Sequence, residues 1–237
     1  MTALVSAIIP TMAGRNRFLL QAVRCFLRQA HSEKELIIVS DDPDFDPDSL
    51  PKDDRIRRIW LSRQTSIGEK LNIGITEAKG DFLMKQDDDD WYHPDFMGAS
   101  LSAMTVETPE RTITRALRYL VFYPKDWKLV LSSHFDAHIG SGMMFHRALW
   151  KDKPFRDESI SEDTYFRNDH HPYRDTVVHG DELLIIVRHG ENHWVQHHTG
   201  LTVDALFSQH RPVYDKPIED IIFPEDLELY KGLKNAP

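Results

Sequence analysis

The sequence contains a single cysteine, Cys25, and no long apolar run. One cysteine excludes an internal disulfide and a cysteine-rich metal site, which is typical of proteins kept in a reducing compartment. No apolar segment approaches the roughly 20 residues that a membrane-spanning helix needs. The apolar run near the N-terminus, residues 4–9, is too short for a secretory leader and lacks a basic start. We therefore predict a soluble protein of the cytoplasm without a transmembrane segment.

The chain also lacks a basic cluster, an internal repeat and a low-complexity segment. Its 38 acidic residues outnumber its 29 lysines and arginines, which gives a formal net charge of −9. Proteins that bind nucleic acid through its phosphates depend on clustered lysine and arginine, so the charge balance argues against nucleic acid as a partner. With 237 residues, of which 41% are hydrophobic, the chain can form one enzyme-sized α/β domain.

What the N-terminal half does contain is an alternation of β-prone and helical segments. Short apolar runs predict four strands, at residues 4–9, 36–39, 56–61 and 82–84. Helical spacing of apolar residues predicts helices at residues 19–30 and 71–78. Strands that alternate with helices predict a parallel sheet with crossover helices. Ligands of such sheets bind beyond the carboxyl ends of the strands.

The pattern changes in the second half of the chain. Residues 112–122 and 127–132 predict longer strands, a helix is expected from about Ser161, and a further strand is expected at residues 183–187. After residue 202 the apolar residues stand in short groups with little periodicity. We predict that this last segment is a lid or a packing arm.

Four consecutive carboxylates, residues 87–90, follow the fourth predicted strand in the segment KQDDDDWYHP. Such crowding of negative charge destabilises a fold unless a cation neutralises it. The run contains the pattern Asp-x-Asp at Asp87 and Asp89, and carboxylate oxygens at this spacing suit Mg²⁺ or Mn²⁺, which commonly bridge to phosphate oxygens. We therefore predict a metal–diphosphate site. The alternative is a solvated acidic loop or an acidic helix N-terminus.

Five segments in a fixed order resemble the inverting family 2 glycosyltransferases, which have a GT-A fold. They are SAIIPTMAGRNRFLLQAVRCFLRQ, ELIIVSDDPD, IGEKLNIGITEAKGDFLMKQDDDDWYHPDF, SGMMFHRALW and SEDTYF. The resemblance covers most of the chain, and it implies a nucleotide-diphospho-sugar transferase fold in which a mostly parallel sheet flanked by helices joins a smaller mixed-sheet acceptor half. It implies one domain over residues 1–200, divided into a nucleotide-sugar-binding half at 1–95 and an acceptor half at 96–200, with a C-terminal arm at 201–237.

The resemblance implies nucleoside-binding roles for residues that follow the first two strands. These residues are Pro10, Thr11, Asp41 and Asp42. Asp42 stands where the family contacts the uracil ring, and a turn aspartate before a proline is the alternative. The usual family pattern there is Asp-Asp-Gly-Ser, whereas this chain has Asp-Asp-Pro-Asp.

The same resemblance implies that Mn²⁺ or Mg²⁺ is bound at the Asp-x-Asp pattern. Asp87 and Asp89 would be the ligands, with Asp89 the direct one, and Asp88 would lie near the ribose. Lys70 would face the phosphates, with an exposed helix lysine as the alternative. His189, in the element VRHGENHW, would complete the metal shell or contact the diphosphate, with a polar turn after a strand as the alternative.

A second carboxylate pair, Glu162 and Asp163, lies in the segment SEDTYF. Sugar transfer with inversion needs a base that deprotonates the acceptor hydroxyl on the face opposite the leaving nucleotide. The resemblance implies that Asp163 is this base and that Glu162 is its neighbour in the acceptor site. The alternative is a helix start at which Ser161 is the N-cap and the acidic residues favour the helix dipole.

Together with these residues, the resemblance implies a metal-dependent inverting glycosyltransferase. It would move a sugar from a nucleotide-sugar donor, with UDP as the carrier, to a saccharide or another hydroxyl acceptor. A sugar-phosphate nucleotidyltransferase is one alternative, although PTMAGRNR is a poor version of the glycine-rich basic loop of that class. A non-catalytic nucleotide-sugar or metal-binding module is another. A third keeps the chemistry but has a nucleic-acid base as acceptor, against which the acidic composition argues. The oligomeric state, the donor sugar and the acceptor have no signal in the sequence.

Overall fold

The structure is a computed structural model that describes residues 3–104, 108–132, 140–190, 192 and 211–234. The strands are β1 (Val5–Thr11), β2 (Lys34–Ser40), β3 (Ile56–Trp60), β4 (Phe82–Lys85), β5 (Trp91–Tyr92), β6 (Thr112–Ala116), β7 (Leu120–Tyr123), β8 (Lys128–Leu131), β9 (Met144–His146), β10 (Arg174–Val178) and β11 (Leu184–Val187). The helices are α1 (Asn16–Arg28), α2 (Ile67–Glu77), α3 (Phe96–Met104), α4 (Arg147–Asp152), α5 (Glu162–Asp169) and α6 (Pro224–Lys234). Within the described segments, every helix is too short or too polar to cross a lipid bilayer.

Parallel strands form the centre of the larger sheet. Within the described residues this sheet has seven strands in the order β10-β6-β9-β4-β1-β2-β3, and β4, β1, β2 and β3 all run in the same direction. Every residue of β1 is buried, and β2 is buried except at Glu35, as expected for strands covered by helices on both faces. The parallel α/β fold expected from the sequence is therefore confirmed.

Helix α2 packs closely on the larger sheet, and the register of its parallel strands brings the loops after β1, β2 and β4 to one edge. Helix α2 lies so near β1 that a Cβ added at Gly74 would be 2.6 Å from a methyl carbon of Ile8. The last residues of β1 and β2, Thr11 and Ser40, are paired in register, and Lys85 at the end of β4 pairs with Ile8. Because the strands are parallel, the loops that follow β1, β2 and β4 leave the sheet side by side.

A smaller sheet lies next to the larger one and corrects one prediction. It contains four strands among the described residues, in the order β5-β11-β7-β8, with both parallel and antiparallel pairs. The single long strand predicted at residues 112–122 is wrong, because β6 belongs to the larger sheet and β7 to the smaller one. Between them the amide of Leu117 donates to the carbonyl of Val178, and the amide of Tyr119 donates to Ser132 Oγ. The continuous apolar pattern hides this change of sheet.

The described part of the C-terminal segment contains helix α6, which the sequence did not predict. Its buried residues Leu227, Tyr230 and Leu233 join the main hydrophobic core. Asp226, which is fully buried, accepts hydrogen bonds from Arg24 Nε (2.8 Å) and Arg28 Nη1 (2.5 Å) on α1, and from the indole of Trp91 (3.2 Å). The helix thus packs against the first half of the chain. The predicted domain boundary at residue 200 lies outside the described residues and stays a prediction.

We expect Asp226→Ala to lower the free energy of unfolding by about 2–3 kcal/mol. The substitution leaves two arginines without a buried carboxylate, a loss that costs roughly 3–5 kcal/mol when both charges are buried. Here the side chains of Arg24 and Arg28 are 25% and 20% exposed to solvent, so hydration of the arginines offsets part of the loss. Urea unfolding followed by circular dichroism measures the difference.

The matched control is Glu225→Gln. Glu225 also pairs with Arg28, but its side chain is 54% exposed, and exposed ion pairs contribute little. A loss of stability as large as that of Asp226→Ala would contradict the role assigned to the buried carboxylate.

Candidate active site

A cavity of about 490 Å³ opens at the edge of the larger sheet where β1, β2 and β4 end. The loops after these strands, the residues before α5 and the end of β11 contribute to its walls. Nine of the eleven site residues predicted from the sequence line it, namely Pro10, Thr11, Asp41, Lys70, Asp87, Asp88, Asp89, Glu162 and Asp163. The structure therefore brings the donor-binding and catalytic candidates together in one cavity.

Asp89 has a buried carboxylate with several partners on one oxygen. Its Oδ2 accepts hydrogen bonds from Arg15 Nη2 (2.7 Å) and Asn192 Nδ2 (3.1 Å), and it lies 3.1 Å from His189 Nε2. Burial by itself would raise the pKa of Asp89, but the hydrogen bond with His189 and the charge of Arg15 hold it below its usual value. Asp89 is therefore ionised at neutral pH before any ligand binds.

His189 contacts Asp89 but is not among the residues that line the cavity. Its ring stacks on Phe18 with the ring centroids 4.2 Å apart, and its amide donates to Asn192 Oδ1 (3.0 Å). The short element that holds His189 and Asn192 thus supports Asp89 from β11. A role for His189 as a metal ligand stays a prediction.

Asp88 joins the acidic loop to the loop after β1. It accepts a hydrogen bond from Thr11 Oγ1 (2.6 Å), and its Oδ1 lies 3.1 Å from Arg15 Nη2. Burial raises the pKa of Asp88 to about 6, although the charge of Arg15 opposes the change. Asp88 and Asp89 therefore share one guanidinium group.

A second cation, Lys85, connects the acidic loop with the second carboxylate pair, Glu162 and Asp163. Its Nζ donates to Asp87 Oδ1 (2.7 Å) and lies 3.3 Å from Glu162 Oε1. Burial disfavours the charged lysine, but Asp87, Glu162 and Asp163 together raise its pKa above the usual value. Lys85 is therefore charged, and it compensates carboxylates from both predicted motifs.

Asp163 enters the cavity next to a glycine. A Cβ added at Gly140 would lie 2.1 Å from Asp163 Oδ2, so only glycine leaves room for the carboxylate. The other oxygen of Asp163 accepts a hydrogen bond from the amide of Thr164 (2.7 Å). Ser161 occupies the N-cap position of α5 with a φ of 60°, but its side chain makes no hydrogen bond to the helix. Glu162 and Asp163 lie in the first turn of α5, as the alternative interpretation expects.

Lys70 on α2 and Asp41 in the loop after β2 form a buried ion pair. The Nζ of Lys70 lies 2.8 Å from Asp41 Oδ1 and donates to the carbonyl of Thr11 (2.9 Å). Asp41 Oδ2 accepts a hydrogen bond from the amide of Thr65 (2.8 Å). The alternative of an exposed helix lysine is therefore wrong, while contact of Lys70 with phosphates stays a prediction.

Asp42 is buried but does not line the cavity. Its Oδ1 accepts a hydrogen bond from the amide of Asp44 (2.9 Å), and its own amide donates to Ser40 Oγ (3.1 Å). This is the geometry of an aspartate that stabilises its own turn. The carboxylate that reaches the cavity from this loop is Asp41, and the contact of Asp42 with a uracil ring stays a prediction.

Sequence reasoning missed three residues that contact the predicted carboxylates, namely Arg15, Lys85 and Asn192. Arg15 is one of two arginines in the segment AGRNR, and Lys85 ends the strand before the acidic run. The positive charges of Arg15 and Lys85 were a signal that the chain itself compensates negative charge of residues 87–90. Which carboxylate each cation reaches depends on contacts between distant segments, which spacing does not reveal.

Glu162 is expected to make the stability of the fold depend on pH. Burial raises its pKa from an ordinary 4.5 to about 7, against the opposing charge of Lys85. Because the folded chain binds this proton more tightly than the unfolded chain, the stabilisation is complete below pH 4.5 and is lost as the pH rises through about 7. The difference between these pKa values corresponds to about 3 kcal/mol at most.

Glu162→Gln tests this expectation, because it removes the titrating proton. Thermal unfolding measured between the two pKa values should show a smaller fall of stability with rising pH in the variant than in the wild type. Glu158→Gln, in an exposed position before the same helix, is the control that should keep the wild-type slope. An unchanged slope in Glu162→Gln would refute the assignment.

The residues present fit a divalent cation that is held together with a phosphate ligand. In the described part of the chain, no group of three or more histidine, cysteine or acidic side chains could enclose a metal ion. Asp87 and Asp89 nevertheless both line the cavity, and the imidazole of His189 lies beside Asp89. Mg²⁺ and Mn²⁺ are commonly bound by one or two carboxylates, with phosphate and water completing the coordination.

Comparisons with known proteins agree with this architecture. A sequence profile described as Glycosyl transferase family 2 matches residues 6–129, slightly more than half of the chain. No curated protein matches the chain in sequence.

Two solved structures have a similar fold. One is the mannosyltransferase PcManGT from Pyrobaculum calidifontis in complex with GDP-Man and Mn²⁺, with a TM-score of 0.61 and 14% identity over 79% of this chain and 57% of that one. The other is S. aureus TarS 1-349 in complex with UDP-GlcNAc, with a TM-score of 0.55 and 14% identity over 78% of this chain and 58% of that one. The chain thus spans less than two thirds of either protein, and at this identity the similarity shows the fold alone.

Proposed function

This chain belongs to glycosyl transferase family 2, and from that premise we propose that it transfers a sugar from a nucleotide-diphosphate donor to a hydroxyl group of an acceptor. The observation that carries the proposal is that two carboxylate pairs line one cavity. One pair, Asp87 and Asp89, follows β4, and the other, Glu162 and Asp163, begins α5. One carboxylate pair can hold a metal ion that binds the donor, and a carboxylate of the other can remove the proton of an acceptor.

The nucleotide diphosphate is assigned to the part of the cavity at the ends of β1, β2 and β4. Ligands of parallel α/β sheets bind at this edge. Five cationic side chains also line the cavity and suit a phosphate-bearing ligand, namely Arg15, Lys70, Lys85, Arg188 and Arg211. PcManGT and TarS, with a similar fold, are described in complex with GDP-Man and UDP-GlcNAc. We propose UDP as the carrier.

Asp163 is assigned as the general base of an inverting transfer. Its carboxylate takes the proton of the acceptor hydroxyl while the acceptor oxygen bonds to the anomeric carbon and the bond to the diphosphate breaks. The oxygen attacks from the face opposite the nucleotide, so no covalent enzyme intermediate is formed. Glu162 shares Lys85 with the donor side of the cavity and positions the start of α5.

Asp87 and Asp89 are assigned as the residues that would hold Mn²⁺ or Mg²⁺, with His189 beside them. When bound, the cation supplies Lewis-acid stabilisation of the negative charge on the leaving diphosphate. Both carboxylates line the cavity, in the loop that follows β4. Thr11 fixes Asp88 next to them through its hydroxyl.

A thermal-shift titration with UDP, GDP, CDP and dTDP, each with and without Mn²⁺, tests the donor assignment. A ligand that binds only the folded state at 100 times its Kd adds about 2.7 kcal/mol to stability. We expect UDP to raise the melting temperature only when Mn²⁺ is present. No shift with any of the four nucleotides would overturn the proposal.

A second measurement separates transfer from the alternative activities. Incubation with the sugar conjugate of the nucleotide that binds should release the nucleoside diphosphate slowly, because water replaces the missing acceptor. Release of pyrophosphate from a nucleoside triphosphate would instead indicate a nucleotidyltransferase. Binding with no release of either product would indicate a non-catalytic module.

A further inference from the structure

Two cations that belong to the chain compensate part of the charge of the acidic loop. Arg15 contacts Asp88 at 3.1 Å and Asp89 at 2.7 Å, and Lys85 contacts Asp87 at 2.7 Å. The side chains of Arg15 and Lys85 are only 13% and 6% exposed, so water screens these contacts weakly. The chain itself therefore relieves part of the repulsion within the run.

Arg15 uses the carboxylate that the proposed function assigns to the divalent cation. The guanidinium donates to Oδ2 of Asp89, and the shared contact with Asp88 holds it in place. A divalent ion on Asp89 would then lie within a few ångströms of a buried positive charge. At such a separation and at low exposure the repulsion is strong, so the two cations compete for the same carboxylate.

The loop that leads to Arg15 has open space beside it. Arg15 precedes α1 and makes no side-chain hydrogen bond that caps the helix. The residue before it, Gly14, has a φ of 80°, and a Cβ built there would meet nothing within 4 Å. Met12 in the same loop is 41% exposed. Arg15 also lies over the ring of Phe18, with its Cζ 5.3 Å from the ring centroid, and its Nη1 lies 3.4 Å from His189 Nε2, so these contacts would rearrange together with those to the aspartates.

We propose that Arg15 is a resident counter-cation that a divalent metal ion displaces from Asp89, and that a bound diphosphate assists the displacement by offering the guanidinium new oxygen partners. That this second ligand is a diphosphate rests on the proposed function. A guanidinium forms paired hydrogen bonds with phosphate oxygens as readily as with carboxylates. Arg15 is thus a positioning residue that couples metal binding to donor binding.

The proposal predicts that Mn²⁺ and a diphosphate each strengthen the binding of the other. In the wild type, Mn²⁺ alone must compete with Arg15 and binds weakly, whereas Mn²⁺ binds more tightly when a diphosphate is present. By linkage, Mn²⁺ tightens diphosphate binding by the same factor, and such couplings typically amount to about 5- to 150-fold. Without the guanidinium the competition disappears, so Mn²⁺ alone binds more tightly and the dependence on the diphosphate decreases.

The experiment measures the Kd of Mn²⁺ from the free-ion signal in electron paramagnetic resonance, for the wild type and Arg15→Gln. Each protein is titrated with Mn²⁺ alone and with Mn²⁺ plus UDP, with the Mn²⁺–UDP complex in solution taken into account. We expect Arg15→Gln to bind Mn²⁺ alone about tenfold more tightly than the wild type, within the usual range of such couplings. The improvement that UDP gives should be smaller in the variant.

Two further variants make the result specific. Arg17→Gln removes the same charge two residues away, where the guanidinium lies over the ring of Phe18, and it should leave the Kd of Mn²⁺ unchanged. Arg15→Lys keeps a cation that can pair with the aspartates, and it should bind Mn²⁺ alone nearly as weakly as the wild type. The melting temperature of each protein in EDTA shows whether the variant is folded.

The outcomes separate this inference from the proposed function. If Arg15→Gln binds Mn²⁺ alone no more tightly than the wild type, or if neither protein binds it, displacement is overturned even when UDP binds the wild type. An equal gain in Arg17→Gln overturns it as well, since the effect would then come from net charge. If Mn²⁺ binds more tightly in Arg15→Gln but UDP binds neither protein, displacement stands while the coupling and the proposed donor site fail.

Discussion

Asp163→Asn is expected to lower the turnover of sugar transfer by about a thousandfold, within the range typical of general-base catalysis. The amide has nearly the shape of the carboxylate and still fits beside Gly140, but it cannot take the proton of the acceptor hydroxyl. Asp163 lies outside the ion pairs that link the acidic loop to Arg15 and Lys85. Donor binding, measured by the thermal shift with nucleotide and Mn²⁺, should therefore persist.

The matched control for this prediction is Asp169→Asn at the other end of α5. Asp169 pairs with Arg156 at the surface and does not line the cavity, so its turnover should match that of the wild type. Turnover of Asp163→Asn comparable to the wild type would refute the assignment of the base. Loss of both turnover and the nucleotide-dependent shift would show that Asp163 supports donor binding instead.

Asp89→Asn is expected to abolish the Mn²⁺-dependent shift with nucleotide and to reduce turnover by about a thousandfold, since a metal ion contributes several kcal/mol to stabilising a transition state. The amide removes the negative charge that a divalent cation requires. It also leaves Arg15 and His189 with a weaker partner, so some loss of stability in EDTA is expected. Calorimetric titration with Mn²⁺ and UDP measures the loss of binding directly.

Asp95→Asn is the control for charge removal near the acidic loop. Asp95 follows the loop closely in the sequence, but its side chain is 68% exposed and does not line the cavity. Its Mn²⁺-dependent shift and its turnover should equal those of the wild type. If Asp89→Asn keeps the full Mn²⁺-dependent shift, the metal is bound elsewhere or is not needed.

The first half of the fold could be predicted because its signals are local. The apolar run at residues 36–39 lies within β2, and the helical spacing at 19–30 corresponds to α1, with boundaries displaced by a few residues. Each of these elements buries apolar side chains that are close together in the sequence, and both contribute to the same hydrophobic core. The split of residues 112–122 between two sheets was missed, because apolar residues continue through the turn and only partner strands decide the sheet.

Helix α6 was missed for a different reason. Its apolar residues are few, and much of its attachment is through Asp226, a polar residue that periodicity counts as exposed. A buried aspartate is stable only because Arg24 and Arg28 reach it from another helix. Local hydrophobic periodicity does not predict such ion pairs between distant segments.

The candidate site could be predicted as a set of residues but not as a set of contacts. Motif spacing indicated which carboxylates face a common cavity, and nine of the eleven predicted residues do line it. It did not indicate that Arg15 shares Asp88 and Asp89, or that Lys85 joins Asp87 to Glu162. Asp42 and Asp41 are adjacent in sequence, and only the turn decides which of them reaches the cavity.

The attachment of α6 also constrains how a newly made chain matures. Arg24 emerges from the ribosome before its partner Asp226, which lies 202 residues later. Contacts over such separations close large loops and tend to form late in folding. Trp91, which directly follows the acidic loop, also lacks its indole partner until Asp226 is in place. The part of the fold that contains Arg24 is therefore completed only after residues 224–234 are made, and a nascent chain that stalls before them would expose this unfinished face to chaperones.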